Sequence, residues 1–204
     1  IGIDDYVPGT LGYLRYPFHT LVYTAGLTKT MTLSETKDLH GKLLLEITNL
    51  EMSQDFQFQW PYTFYAHHQI TQGYTNGGQW LGAGNGTGGN SQYLGYTLYY
   101  PKGNTTIFLH RSNPDNNYLY KNAVYNSANV DDENGENLDD KYFTNWKASI
   151  VLGVNTKYFV TKNLVISGGA GYNLILNPLY ENNGFANDIK LHNFIFQLGL
   201  KYNF

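Results

Sequence analysis

The chain has no cysteine, which excludes a disulfide framework and any thiolate metal centre. It is also poor in charge: Asp, Glu, Lys and Arg make up 14% of the residues and the net charge is −3. Without a basic surplus there is no electrostatic footing for a nucleic-acid partner. No run of about 18 apolar residues occurs, so a transmembrane helix is excluded. No stretch repeats its apolar residues at helical spacing. No signal peptide is visible, and the chain opens on Ile1 rather than Met. A processed product or a piece of something longer is therefore expected.

What the chain does have is aromatic residues (16%, with 19 Tyr), 22 glycines and a strict alternation. In the closing run IKLHNFIFQLGLKYNF, Phe194, Phe196, Leu198, Leu200, Tyr202 and Phe204 are apolar. Asn193, Gln197, Gly199, Lys201 and Asn203 between them are polar or small, with Ile195 the exception. A period of two held this long is a strand signature. Its length matches the roughly 9–11 residues that a tilted strand needs to cross a bilayer.

The pattern recurs upstream. Leu164, Ile166, Ala170, Tyr172, Leu174 and Leu176 share a face, as do Trp146, Ala148, Ile150, Leu152, Val154 and Tyr158. So do Leu94, Tyr96, Leu98 and Tyr100; Leu43, Leu45 and Ile47; and Leu21, Tyr23, Ala25, Leu27 and Met31. TTIFLHR is ambiguous, with Ile107 and Leu109 set against Phe108 and His110. These runs predict about seven strands.

A soluble β-sandwich also alternates. Against it, aromatics gather at strand ends (Tyr23, Tyr100, Trp146, Tyr158, Tyr202, Phe204), as in the interfacial girdles of outer-membrane barrels. The opposite faces, rich in Gly, Ser, Thr, Asn and Lys, would make a poor dry core but a good wetted lumen. The expected fold is all-β, an antiparallel transmembrane β-barrel of outer-membrane type forming a single domain over residues 1–204. Connections alternate short and long, with the longest at 52–90 and 113–142. Bacterial barrels keep short turns in the periplasm and longer loops outside. The reading is thus a bacterial outer-membrane location, with extracellular loops and a periplasmic C-terminus. Seven strands are odd for such a barrel, and a weak segment near Leu11–Arg15 is too short to cross. Open edges in lipid are costly, so we expect this to be the C-terminal part of a larger barrel.

The stretch GYTNGGQWLGAGNGTGG holds Gly84, Gly86 and Gly89 at the G-x-G-x-x-G spacing. A dinucleotide fingerprint needs a buried strand before it and a helix after it, and neither flank fits. The stretch falls within the long 52–90 connection, and loops of that length are usually functional or disordered. Its aromatics argue against simple disorder. Trp60, Tyr62, Phe64, Tyr65, Tyr74 and Trp80 could stack on pyranose faces, and His67, His68, Gln79, Asn85 and Asn90 could bond sugar hydroxyls. The plainer alternative is that the aromatics pack on one another and on the wall.

The run YAHHQITQGYTNGGQWLGAGNGTGGNSQYL resembles the signature of the capsule-assembly Wzi family. Tyr65, His67, Gly73, Tyr74, Gly78, Leu81, Gly82 and Gly89 stand at matching places, and Ala83 stands where the family often has His. The following YTLYYPKGNTTIFLHR resembles the family's next hairpin. This resemblance implies an outer-membrane barrel of about eighteen strands, a missing N-terminal part, an outward face that binds capsular or other surface polysaccharide, and no catalysis.

The remaining constellations are weaker. His67 and His68 are adjacent and would point to opposite faces of a strand, so no metal site is expected. Asp131–Asp140 is rich in acids, but placing Gly135 at the sixth position of a calcium loop leaves Val130 and Lys141 at its ends. It is read as a solvated loop tip, with contact to divalent cations that bridge lipopolysaccharide as the alternative. Arg111 could meet an acidic sugar or a lipid phosphate, or serve as an interfacial snorkelling charge. No arrangement suggests an enzyme or a cofactor. The expected partners are surface polysaccharide, outer-membrane lipid and lipopolysaccharide, with the missing N-terminal part of the barrel or other envelope proteins beside them. The competing readings are a porin or transport channel and a structural subunit of a larger envelope complex.

Overall fold

Alternating sequences pair with alternating sequences. The computed structural model describes residues 2–3, 21–51, 65, 73–85, 87–114, 147–178 and 189–203. Among them lie β1 (Gly2–Ile3), β2 (Leu21–Ser34), β3 (Leu39–Asn49), β4 (Thr75–Asn76), β5 (Gln79–Trp80), β6 (Asn90–Tyr100), β7 (Gly103–Asn113), β8 (Ala148–Phe159), β9 (Leu164–Leu176) and β10 (Lys190–Tyr202). No helix occurs among the described residues. The long strands form one antiparallel sheet in the order β2-β3-β6-β7-β8-β9-β10, with two-residue β1 on the outer side of β2 and β4-β5 as a separate hairpin. The expected all-β antiparallel architecture is present. The sheet does not close among the described residues: β10 ends it on one side, and β2, touched by β1 at Leu21 and Val22, on the other.

The connections alternate as expected. Residues 35–38, 101–102 and 160–163 make short turns at one end of the sheet, and the long connections all leave from the other. Each short turn has a local cause. The Asp38 N–H donates to the Glu35 carbonyl at 3.2 Å, with Asp38 at a φ of 49°, a conformation that Asp tolerates better than most residues. Thr161 Oγ1 accepts from the Asn163 and Leu164 amides at 3.2 and 3.0 Å. Gly103 follows the 101–102 turn at a point where β8 passes very close to β7. A Cβ on it would lie 2.0 Å from the Lys157 carbonyl oxygen.

Register carries one face across the whole sheet. Leu27, Leu45, Leu94, Leu109, Leu152, Tyr172 and Phe194 form a continuous row of opposed residues. The row beside it contains Leu43, Tyr96, Ile107, Val154, Ala170 and Phe196, with Lys29 as its one charge. The ambiguous run is resolved here. Ile107 and Leu109 join the apolar face, and Phe108 turns to the other.

Nothing among the described residues covers the apolar face. Phe196 is 78% and Leu198 86% exposed, and Leu27, Ile107 and Leu152 each show more than half their surface. The buried apolar side chains among the described residues are Val22 and Leu50. Among the described residues the sheet is held by its ladders and cross-strand pairs rather than by a dry core.

The opposite face is mostly polar and small, with a few large side chains such as Leu44, Phe108 and Ile195 among them. One row reads Thr30, Lys42, Thr97, Thr106, Asn155, Gly169 and Gln197. Its polar groups bond sideways: the Thr97 and Thr106 hydroxyls are 2.8 Å apart, and Gln197 Nε2 donates to Asn155 Oδ1 at 3.1 Å. Above it Tyr93 and Phe108 stack with ring centroids 5.8 Å apart. The Phe108 ring lies over Gly153, where a Cβ would come within 2.4 Å of it, and the Tyr93 ring lies over Gly95. Aromatic rings laid on strand glycines fill the missing side-chain volume and pin the register.

Candidate functional site at the long-loop end

The long connections bring several of the sequence-predicted residues to one end of the sheet. The Gly-rich stretch folds as a hairpin, with Thr75 opposite Trp80 and Asn76 opposite Gln79. Gly77 and Gly78 between them have φ values of 57° and 79°. Positive φ at both central residues defines the type I′ turn that suits a tight hairpin. These two glycines shape the turn. Within a stretch read from sequence as loop, the Asn-Gly-Gly run is a usable hairpin signal.

Tyr65 and Tyr74 are clamped onto this hairpin. Their rings stack with centroids 5.5 Å apart and planes 23° apart. The Tyr74 N–H donates to the Tyr65 carbonyl at 2.9 Å, and the Leu81 N–H to the Tyr74 carbonyl at 3.2 Å. The Tyr65 hydroxyl accepts from the Ala83 amide at 3.3 Å. Gly82 lets that ring approach, since a Cβ there would sit 2.1 Å from the phenol oxygen. Two of the candidate stacking residues therefore pack on each other, as the plainer alternative had it. Tyr74 nevertheless leaves 54% of its surface exposed.

Asn85 meets the sheet near Gly89. A Cβ on Gly89 would lie 2.6 Å from the Asn113 carbonyl oxygen and 3.3 Å from Asn85 Nδ2, and the Gly89 carbonyl accepts from the Leu50 amide at 2.9 Å. Asn113 is 6% exposed. Its Oδ1 and the Nδ2 of Asn85 are both buried without a hydrogen-bond partner among the described residues. One lacks a donor and the other an acceptor.

The third cluster is on the wall itself. Arg111 Nη1 donates to Asn90 Oδ1, and to Gln92 Oε1 at 2.9 Å. Arg111 and Gln92 are directly opposed in the β6–β7 pair, and Asn90 is the next residue along the same face. Asn90 and Arg111 had been candidates. Gln92 and Asn113 were missed, because only the register between two strands shows that they belong with them. Farther along that edge, the Tyr172 hydroxyl lies 2.5 Å from His192 Nδ1 with the rings stacked, a second pair that the sequence analysis missed.

Of the other candidates, Trp80 contributes its backbone to β5. Trp60, Tyr62, His67 and His68 lie outside the described residues, as do the weak segment near Leu11–Arg15 and the acidic run from Asp131 to Asp140. No group of three or more His, Cys, Asp or Glu capable of holding a metal occurs among the described residues. The site is thus a rim of tyrosine, amides and one guanidinium, equipped to hydrogen-bond and stack. No protein-family model, curated protein or solved structure matches this chain.

Proposed function

We propose that the chain is part of an outer-membrane β-barrel of the Wzi type, which holds surface polysaccharide at its long-loop end and performs no catalysis. The observation that carries this reading is the uncovered apolar face. Seven strands spaced about 4.8 Å apart give a face roughly 30 Å across. Water-soluble monomers rarely leave apolar patches beyond a few hundred Å². A hydrocarbon environment suits this face, and the Thr/Asn/Gly face then borders an aqueous lumen.

Lipid also demands closure, because each unpaired backbone group there costs several kcal/mol. β2 and β10 are separated by six antiparallel steps and run the same way. Joining them directly would create a parallel pair. An odd number of further strands between them restores antiparallel pairing, which fits the larger barrel expected from the sequence.

The sugar-holding part rests on the likeness of residues 65–94 to the Wzi signature and on the rim's chemistry. Tyr74 presents a ring, backed by Tyr65, and C–H-rich sugar faces stack on such rings. The test is retention of purified capsular polysaccharide by the membrane-reconstituted protein. Tyr74→Ala is expected to weaken retention about tenfold, the loss of one good aromatic contact, and unchanged retention would refute the sugar assignment. The polar lumen-side face favours a second reading, a conducting channel. Steady single-channel conductance without any polysaccharide retention would select it.

A further inference from the structure

The apolar face is charged in a lopsided way. Among the described strand residues it carries Lys29, Arg111 and Lys190, with His192 beside them, and no carboxylate; Glu51 follows just beyond the loop-side end of β3. Lys29 lies in the middle rows. The others lie in the two rows nearest the long loops: Gln92, Arg111, Ile150, Leu174 and His192 in one, Asn90, Asn113 and Lys190 at the ends of the next.

The Arg111 guanidinium is fixed rather than neutralised. Both of its acceptors, Asn90 Oδ1 and Gln92 Oε1, are uncharged amide oxygens, and no carboxylate among the described residues is within ion-pair distance of it. His192 is likewise held by its 2.5 Å contact with the Tyr172 hydroxyl. Lys190 stands two residues farther toward the loops on the same strand face, exposed. From β7 to β10 is three strand steps, roughly 14 Å. Oriented cations just above an apolar band are at the depth where lipid phosphates lie, and a guanidinium held by its neighbours is well suited to bind one.

We propose that Arg111, Lys190 and His192 form a binding site on the outer wall for the phosphate groups of an anionic glycolipid in the surrounding leaflet. This rests on the membrane reading above. It assigns the Arg111 end of that rim to lipid on the outer wall and leaves the Tyr74 hairpin to the polysaccharide.

The test uses the full chain folded in neutral detergent and native mass spectrometry of retained lipid. The probes are bis-phosphorylated lipid A, the same lipid stripped of phosphate, and inorganic phosphate as competitor. The wild type is expected to retain the phosphorylated form about tenfold better, and millimolar phosphate should not displace it. R111Q/K190Q should bring the two lipids within about twofold of each other, while K29Q keeps the wild-type preference. If R111Q does not fold, K190Q and H192Q, whose side chains are exposed at the sheet edge, carry the same comparison. Equal retention of both lipids by the wild type, or an undiminished preference in the variants, overturns the proposal. Displacement by inorganic phosphate also overturns it, by revealing a site for free anion. Insertion into uncharged phosphatidylcholine vesicles is measured in parallel. A protein that inserts but shows no preference sinks the lipid site alone, whereas one that never inserts sinks the membrane reading.

Discussion

At the scale of single residues, Lys29 is the sharpest departure from the pattern. It lies on β2 opposite Leu43, between Leu27 and Met31 along the same strand face, in the middle rows of the mostly apolar side. A lysine on a lipid-facing wall costs about 2–4 kcal/mol at mid-depth, less where its stem reaches a polar boundary. Lys29→Leu is therefore expected to raise stability in bilayers by up to about 2 kcal/mol, read as a higher guanidinium midpoint of the vesicle-inserted protein. A lower midpoint would mean that Lys29 meets a partner rather than lipid. Glycines supply a second residue-scale comparison. Gly103→Ala drives a Cβ into the Lys157 carbonyl at 2.0 Å, whereas a Cβ on Gly168 meets nothing closer than the Gln197 carbonyl at 4.0 Å. The first substitution should cost roughly 1–3 kcal/mol, by overpacking against backbone, and the second less than about 0.5 kcal/mol. Equal denaturation midpoints for the two would show that the 101–102 turn tolerates a wider strand separation.

At the scale of elements, the type I′ hairpin between β4 and β5 decides how Tyr74 is presented. Added Cβ atoms at Gly77 and Gly78 meet nothing within 4 Å, yet both residues have positive φ. A substitution there tests backbone strain alone. Gly77→Val with Gly78→Val should cost roughly 1–2 kcal/mol for each residue held in the left-handed region, enough to open so small a hairpin. The expected readout is faster proteolytic nicking within 73–82, with the sheet itself unaffected. Unchanged nicking would mean that the Tyr65–Tyr74 stack holds the segment without its turn. The long strands were legible in the sequence because a period of two is a local property that single-residue inspection detects. The hairpin's strands are two residues long and have no period to show, which leaves the Asn-Gly-Gly turn as its one local signal. Phe108 was ambiguous for a different reason: its place is set by Gly153 on the next strand, a partner 45 residues away in the chain.

At the scale of the whole molecule, the two faces make a prediction that the absence of native cysteine renders simple to test. Single Cys substitutions give unique labels. In the reconstituted protein, Val154→Cys and Leu198→Cys should resist a membrane-impermeant maleimide, while Asn155→Cys and Gln197→Cys react. The reason is that 154 and 198 share the apolar face and 155 and 197 the polar one. Uniform reactivity would remove the lipid assignment. The alternation, the seven long strands and the unequal loops could be read before any coordinates. The rim could not, since Asn90, Gln92 and Arg111 converge only through the β6–β7 register. The sheet's open sides were likewise anticipated only as an odd strand count.

A protein whose described part buries little beyond Val22 and Leu50 has almost nothing to gain from collapsing in water. On the membrane reading proposed above, its stabilising free energy arrives with the solvent change at the bilayer, so pairing of strands and entry into hydrocarbon should proceed as one event. During transit to that destination the Phe194–Tyr202 ridge would be sticky, and an escort that shields extended apolar chain is a requirement of this architecture. Depleting such holdases should leave aggregates of this polypeptide before it alters any soluble neighbour.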